Sequence, residues 1–197
     1  AYLPLLMPLM MKILNTASPD QIRIQIQTLS LLVNWLRSPL HDAISSLHDM
    51  LVNVTRQLLV IAPASEHRSV LESVRTLVES SARSALYRQL DYFLDWDILH
   101  GRGSGQEFYL LAHDVFCVVV RSAATDSELK TMEQLARVVH TLCVHILDRS
   151  TSVPQQIKSL QVIFILVDNV FRYCRAFLPF FSFVVFLWII SLMRSVG

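Results

Sequence analysis

The chain has 197 residues, of which 53% are hydrophobic and 17% charged, with a net charge of +1. That balance argues against disorder, which goes with low hydrophobicity and high charge. The lysines and arginines are scattered singly, so the concentrated basic face of a nucleic-acid binder is missing and no direct nucleic-acid contact is expected. Cys117, Cys143 and Cys174 lie far apart within apolar stretches, which fits reduced, buried thiols of an intracellular protein better than a disulfide framework. The chain opens inside an apolar stretch, Tyr2 to Met7, with neither an initiator Met nor a basic leader. It is expected to be a piece of a longer protein without a signal peptide.

In chain order, the apolar spacing predicts helices throughout. Residues 3–14 read as one helix. Ser18-Pro19-Asp20-Gln21 opens a second, over residues 19–37, where Ile22, Ile26, Leu29, Val33 and Leu36 step by four and three onto one stripe. Ser38-Pro39 opens a third, over residues 39–61, with Ile44, Leu47, Leu51, Val54 and Leu58 inward and Pro63 as its stop. A serine before the first turn accepts hydrogen bonds from free N–H groups there, and a proline beside it forfeits none. Residues 65–80 follow with Val70, Val74, Leu77 and Val78 inward, then residues 82–94 with Leu86, Leu90 and Phe93. Residues 95–105 hold three of the four glycines and read as a loop.

Residues 106–122 and 126–148 form the next pair. Thr125-Asp126-Ser127-Glu128 starts the second of them, which carries Leu129, Met132, Leu135, Val139, Leu142 and Ile146 on one face. Ser152 with Pro154 opens the last helix, residues 153–173. Residues 22–26 also alternate like a strand, but the longer helical stripe outweighs that pattern. The predicted fold class is all-α, a HEAT-like solenoid of antiparallel helix pairs over residues 1–173.

The remaining segment, residues 174–197, differs in kind. Residues 176–193 carry no charge and are flanked by Arg172, Arg175 and Arg194. Eighteen helical residues span about 27 Å, near the lower limit for crossing a bilayer. This apolar tail is expected to be either a transmembrane segment or a C-terminus that does not belong to the helical array.

From Gln25 to Leu32, and from Leu58 to His67 through Ala62-Pro63-Ala64, the chain resembles the N-terminal HEAT-repeat region of the TRRAP-like (transformation/transcription domain-associated) proteins. These are giant pseudokinases of the PI3K-related group. Leu94 to Leu99, Glu107 to Arg121 and Gln156 to Leu160 continue the resemblance in the same order, so that it covers about residues 2–171 and ends before Cys174. Each motif alone is weak, because apolar helical spacing is shared by many proteins; the collinear set carries the likeness. The resemblance implies a non-enzymatic scaffold subunit of a histone acetyltransferase coactivator complex of the SAGA or NuA4 type, in the nucleus. Its implied partners are other subunits of that complex and transcription activators. The family's kinase-like domain lies far C-terminal, and none of it is in this chain. Two alternatives stay open: a HEAT-repeat trafficking or transport adaptor, and a helical protein anchored in a membrane through residues 176–193.

No residue is assigned a catalytic, cofactor-binding or metal-binding role. Gly101-Arg102-Gly103-Ser104-Gly105 lacks the preceding strand and following Lys of a phosphate-binding loop. His140 and His145 are five apart and His41 and His48 seven apart, neither matching the i, i+4 spacing of two zinc-binding imidazoles. Asp91, Asp95, Asp97 and Glu107 sit where helix ends and loops ordinarily collect carboxylates, and no Gly-x-Ser-x-Gly elbow is present. Asn53-Val54-Thr55 matches a glycosylation sequon inside a predicted helix, which points to coincidence. Tyr87, Tyr92, Phe93 and Trp96 cluster near the glycine loop and are expected to close a junction between hairpins rather than anchor a partner.

Overall fold

The computed structural model describes residues 3–16, 19–95, 106–126 and 129–173. Among them all regular structure is helical. The α-helices are α1 (Leu3–Leu14), α2 (Ile22–Trp35), α3 (His48–Ile61), α4 (His67–Val78), α5 (Arg83–Tyr87), α6 (Leu90–Phe93), α7 (Gln106–Ala123), α8 (Leu129–Leu147) and α9 (Val153–Tyr173). The strand-like alternation of residues 22–26 lies within α2, as the longer stripe requires. The glycine loop at 101–105, Ser18 and the tail 174–197 fall outside the described residues. The chain divides into two compact units, Ala1–Ser122 and Ala123–Gly197.

In the first unit α2 packs against α1, α3 and α4, while α3 packs against α4 and α5. Sequence neighbours therefore pair, and α2 and α3 each also lie beside the next helix but one, α4 and α5. This two-way pattern is that of stacked hairpins, in which each layer covers the apolar face left by the one before. Leu29 and Leu32 of α2, Leu51 and Leu58 of α3, Leu71 and Leu77 of α4, and Leu86, Leu90, Phe93 and Phe116 are fully buried. Each such side chain contributes about 1.5–3 kcal/mol relative to remaining in water. Three hydroxyls inside this core are satisfied within their own helices: Thr55, Ser73 and Thr76 donate to the carbonyls of Leu51, Ser69 and Glu72 at 2.7, 3.0 and 3.0 Å.

The helix starts differ from those the Ser-Pro punctuation predicts. Pro19–Gln21, His41–Leu47 and Ala64–Glu66 are 3-10 turns that precede α2, α3 and α4. Ser38 does not cap a long third helix. Its hydroxyl oxygen accepts the Leu40 N–H at 3.1 Å and its proton goes to the Trp35 carbonyl at 2.8 Å, closing a turn at the end of α2. The predicted helix 39–61 is thereby split, with Ile44 of the 3-10 turn still fully buried. The predicted helix 82–94 breaks into α5 and α6 at Arg88 and Gln89, whose side chains are both engaged with α3.

In the second unit α8 and α9 pack together, burying Leu135, Val138, Leu142, Val162 and Leu166. The start of α8 is held by Asp126, whose carboxylate accepts the Thr131 hydroxyl at 2.9 Å. At the start of α9 the Ser152 N–H and O–H both reach the Gln155 side-chain oxygen, at 3.3 and 2.9 Å, which is the backward half of a capping box. Away from the buried face, Val153, Ile157, Leu160 and Phe164 step by four, three and four along exposed α9, Phe164 being 71% exposed. No helix among the described residues is long and apolar enough to cross a membrane.

Candidate interaction surface

What fixes the surface of the first unit is a set of lateral ties, most of them between helices of neighbouring layers. On one side, Arg88 pairs with Asp49, the Gln89 amide donates to the Asn53 side-chain oxygen at 2.7 Å, and the Tyr92 hydroxyl donates to the Arg56 carbonyl at 3.2 Å. The Arg56 guanidinium also lies 5.6 Å from the centre of the Tyr92 ring. On the other side, Arg23 reaches Glu66 at 3.4 Å, Arg37 pairs with Glu79, and Arg75 pairs with Glu79 at 3.3 Å and with Asp114 at 3.0 Å. The Glu79 hydrogen bond and the Asp114 charge push the Arg75 pKa further up against partial desolvation.

Residues 49, 53 and 56 meet 88, 89 and 92 in rising order, so α3 runs parallel to the α5–α6 segment. The hydrogen-bonded ties between layers join residues 35 to 42 apart in sequence. That separation is the repeat length of the array, close to the roughly 40 residues of a HEAT-type repeat.

A second device closes the hairpins themselves. The last carbonyls of a helix have no partner inside it and need one from elsewhere. Gln25, the fourth residue of α2, is buried and donates its amide to the carbonyls of Ile13 at 3.2 Å and Thr16 at the end of α1. Gln156, the fourth residue of α9, donates likewise to Ile146 at 3.2 Å and Asp148 at 3.3 Å at the end of α8. Between α3 and α4 the buried His67 ring nitrogen Nε2 meets the Ala62 carbonyl at 2.8 Å, which assigns the proton to that nitrogen. Beside the α8–α9 turn, the Ser150 N–H and O–H bind Asp148 and hold its carboxyl below the usual carboxylate range.

Between α2 and the start of α4 the layers leave an open groove of about 490 Å³. Arg23, Gln27, Ser30 and Asn34 line it at helical spacing, with Ile26 at its floor, Leu31 beside them, and Glu66 and Ser69 opposite. Leu31 is 49% exposed although it sits in the middle of α2.

The residues weighed from sequence take the following places. Among the described residues no group of three His, Cys, Asp or Glu is arranged to hold a metal ion. His41 pairs with Asp42, whereas His48 begins α3 with its Nε2 buried and its pKa lowered, chiefly by burial and further by Arg88, against the opposing pull of Asp49. Asp91 and Asp95 are exposed, Asp97 and Trp96 fall outside the described residues, and the side chain of Glu107 is likewise not described. Phe93 is fully buried and meets Tyr92 of its own helix edge-on at 5.6 Å, and the Tyr87 hydroxyl is hydrogen-bonded to Ser122 of α7. Cys117 is buried beside His113, with 3.5 Å between sulfur and Nε2, and burial pushes the Cys143 thiol up. Thr55 is fully buried and Asn53 is engaged by Gln89, which fits the reading of the sequon as coincidence.

The described residues thus supply helix faces and an inter-layer groove. No curated protein and no solved structure matches the chain. Residues 2–178 match the family described as the Tra1 HEAT repeat central region. The match reaches a few residues past the predicted limit of the resemblance, and its description places the region centrally in the family rather than N-terminally. The chain belongs to the Tra1 HEAT-repeat family.

Proposed function

We propose that the chain is a non-enzymatic scaffold segment of a histone acetyltransferase coactivator complex of the SAGA or NuA4 type, acting in the nucleus. Its partners on this reading are other subunits of the complex and transcription activators, held on exposed helix faces and in the groove between layers. The observation that supports it is the family match over residues 2–178. Stacked helical layers suit the role, since an extended array offers a large surface without needing a reactive centre. Any membrane contact would run through residues 174–197.

The test is affinity purification of the tagged chain from its own cells, with mass spectrometry and localisation by microscopy. Acetyltransferase subunits in the eluate and a nuclear signal are expected. Recovery of vesicle-coat or transport-receptor subunits instead, with a cytoplasmic signal, would overturn the proposal in favour of an adaptor.

A further inference from the structure

Ser38-Pro39 does not start the long helix that the dipeptide predicts, and its surroundings suit another role. It ends α2 in a turn, and beyond it His41–Leu47 form a 3-10 run of seven residues. Such runs have poor hydrogen-bond geometry and seldom exceed three or four residues. From residue 37 to residue 46 the chain is exposed except at half-buried Ser38 and at Ile44, so a single apolar side chain anchors the whole stretch. Segments with so few buried contacts open at low cost.

The dipeptide narrows what an opened segment can meet. Proline disfavours helical backbone at the residue before it, which leaves Ser38 extended once the turn opens. Proline also has no N–H to satisfy. An enzyme cleft that offers no acceptor at that position therefore selects proline over residues whose N–H would be stranded. Serine on extended backbone directly before proline is the substrate form of proline-directed Ser/Thr protein kinases. The chain has two Ser-Pro pairs, and the serine of the other, Ser18-Pro19, lies outside the described residues.

The groups around Ser38 give a phosphate there a defined effect. The Ser38 hydroxyl donates to the Trp35 carbonyl at 2.8 Å, a bond that is lost with its proton. Nearly two negative charges would then stand beside the last carbonyls of α2, the unfavourable end of a helix for an anion. Two basic side chains flank the site. Arg37 pairs with Glu79 at the end of α4, and the His41 ring sets Nδ1 3.1 Å from the Ser38 carbonyl oxygen while Nε2 pairs with Asp42 at 3.2 Å. A phosphate one residue from Arg37 outcompetes the singly charged Glu79 carboxylate for the guanidinium. Glu79 keeps Arg75 at 3.3 Å, so the exchange strands no charge.

We propose that Ser38 is a phosphorylation site for a proline-directed Ser/Thr kinase, and that its phosphate draws Arg37 away from Glu79 and loosens the contact between α2 and the end of α4. The kinase moves the γ-phosphoryl group of ATP to Ser38 Oγ. The Oγ–P bond forms, the bond from the γ-phosphorus to the bridging oxygen breaks, ADP leaves, and the hydroxyl proton passes to the kinase's catalytic carboxylate. The Arg37–Glu79 tie is partly exposed, so its loss adjusts the joint between two layers without dismantling their apolar core.

The full chain carrying Ser18→Ala, which silences the other Ser-Pro pair, would be treated with a purified proline-directed kinase and ATP and mapped by mass spectrometry. Phosphate on Ser38 of the folded chain is expected, at a rate that Pro39→Ala lowers roughly tenfold or more, as one stranded N–H implies. In a phosphorus NMR titration Arg37 should hold the second pKa of the phosphate below its ordinary value of about 6, and Arg37→Gln should raise it. The urea midpoint should fall by about 0.3–1 M on phosphorylation, the loss of one hydrogen bond and one ion pair. Unchanged helicity of each variant by circular dichroism separates a changed site from lost folding. Absence of phosphate on Ser38 in the folded chain, labelling indifferent to Pro39→Ala, a phosphate pKa that Arg37→Gln does not move, or an unchanged urea midpoint would overturn the proposal.

Discussion

Gln25 shows how one side chain decides whether a hairpin closes. It is polar and buried, and its position is explained by the α1 carbonyls that it caps rather than by the apolar stripe of its own helix. Gln25→Leu would keep the volume and remove the amide donor from the Thr16 carbonyl, while the Ile13 carbonyl keeps the Thr16 N–H, so a loss of about 1–3 kcal/mol in urea unfolding is expected. Gln156→Leu breaks a cap whose surroundings are more open to water, and the loss should be smaller. His48 makes a different kind of contribution. Burial lowers its pKa below the ordinary 6.5, so the unfolded chain takes up the proton first. Stability is then complete above pH 6.5 and declines as pH falls from 6.5 toward the lowered folded value. Urea midpoints measured between pH 7.5 and 5 should show this decline, and His48→Asn should flatten the part due to this residue.

At the scale of elements, apolar burial and surface pairing are unequal in weight. Asp49 and Arg88 are both more than half exposed, so a double-mutant cycle between them should give a coupling below about 1 kcal/mol that shrinks further in salt. Leu71→Ala, at a fully buried site in α4, should cost about 2–5 kcal/mol in the same assay. This inequality also explains what was legible in the sequence. The stripes of α2, α3 and α4 are local periodicities and could be read directly. Whether a Ser-Pro pair starts an α-helix or a 3-10 turn depends on which carbonyl the serine finds; Ser38 finds Trp35, behind it. The break between α5 and α6 coincides with contacts to Asp49 and Asn53, 39 and 36 residues earlier, which no local pattern contains. The groove was hidden for a similar reason. Gln27 and Asn34 stay exposed, and the groove they line exists only once α4 is laid beside α2.

For the whole molecule, the lateral ties of the first unit imply modularity of length. Those hydrogen-bonded ties span 35 to 42 residues, so each layer is joined to the adjacent one with a similar offset. Arg37 and Glu79 occupy equivalent places one repeat apart. Excising residues 38–79 would therefore bring the end of α2 to where α4 ended and leave the following helices in phase. Excising residues 38–58, half that length, would put inward residues on the outside. The longer deletion is expected to retain a helical spectrum and a cooperative melt, and the shorter one to lose the melt. An array built this way can lengthen or shorten by whole layers without re-solving its core, so the spacing of whatever it holds changes in fixed steps rather than continuously.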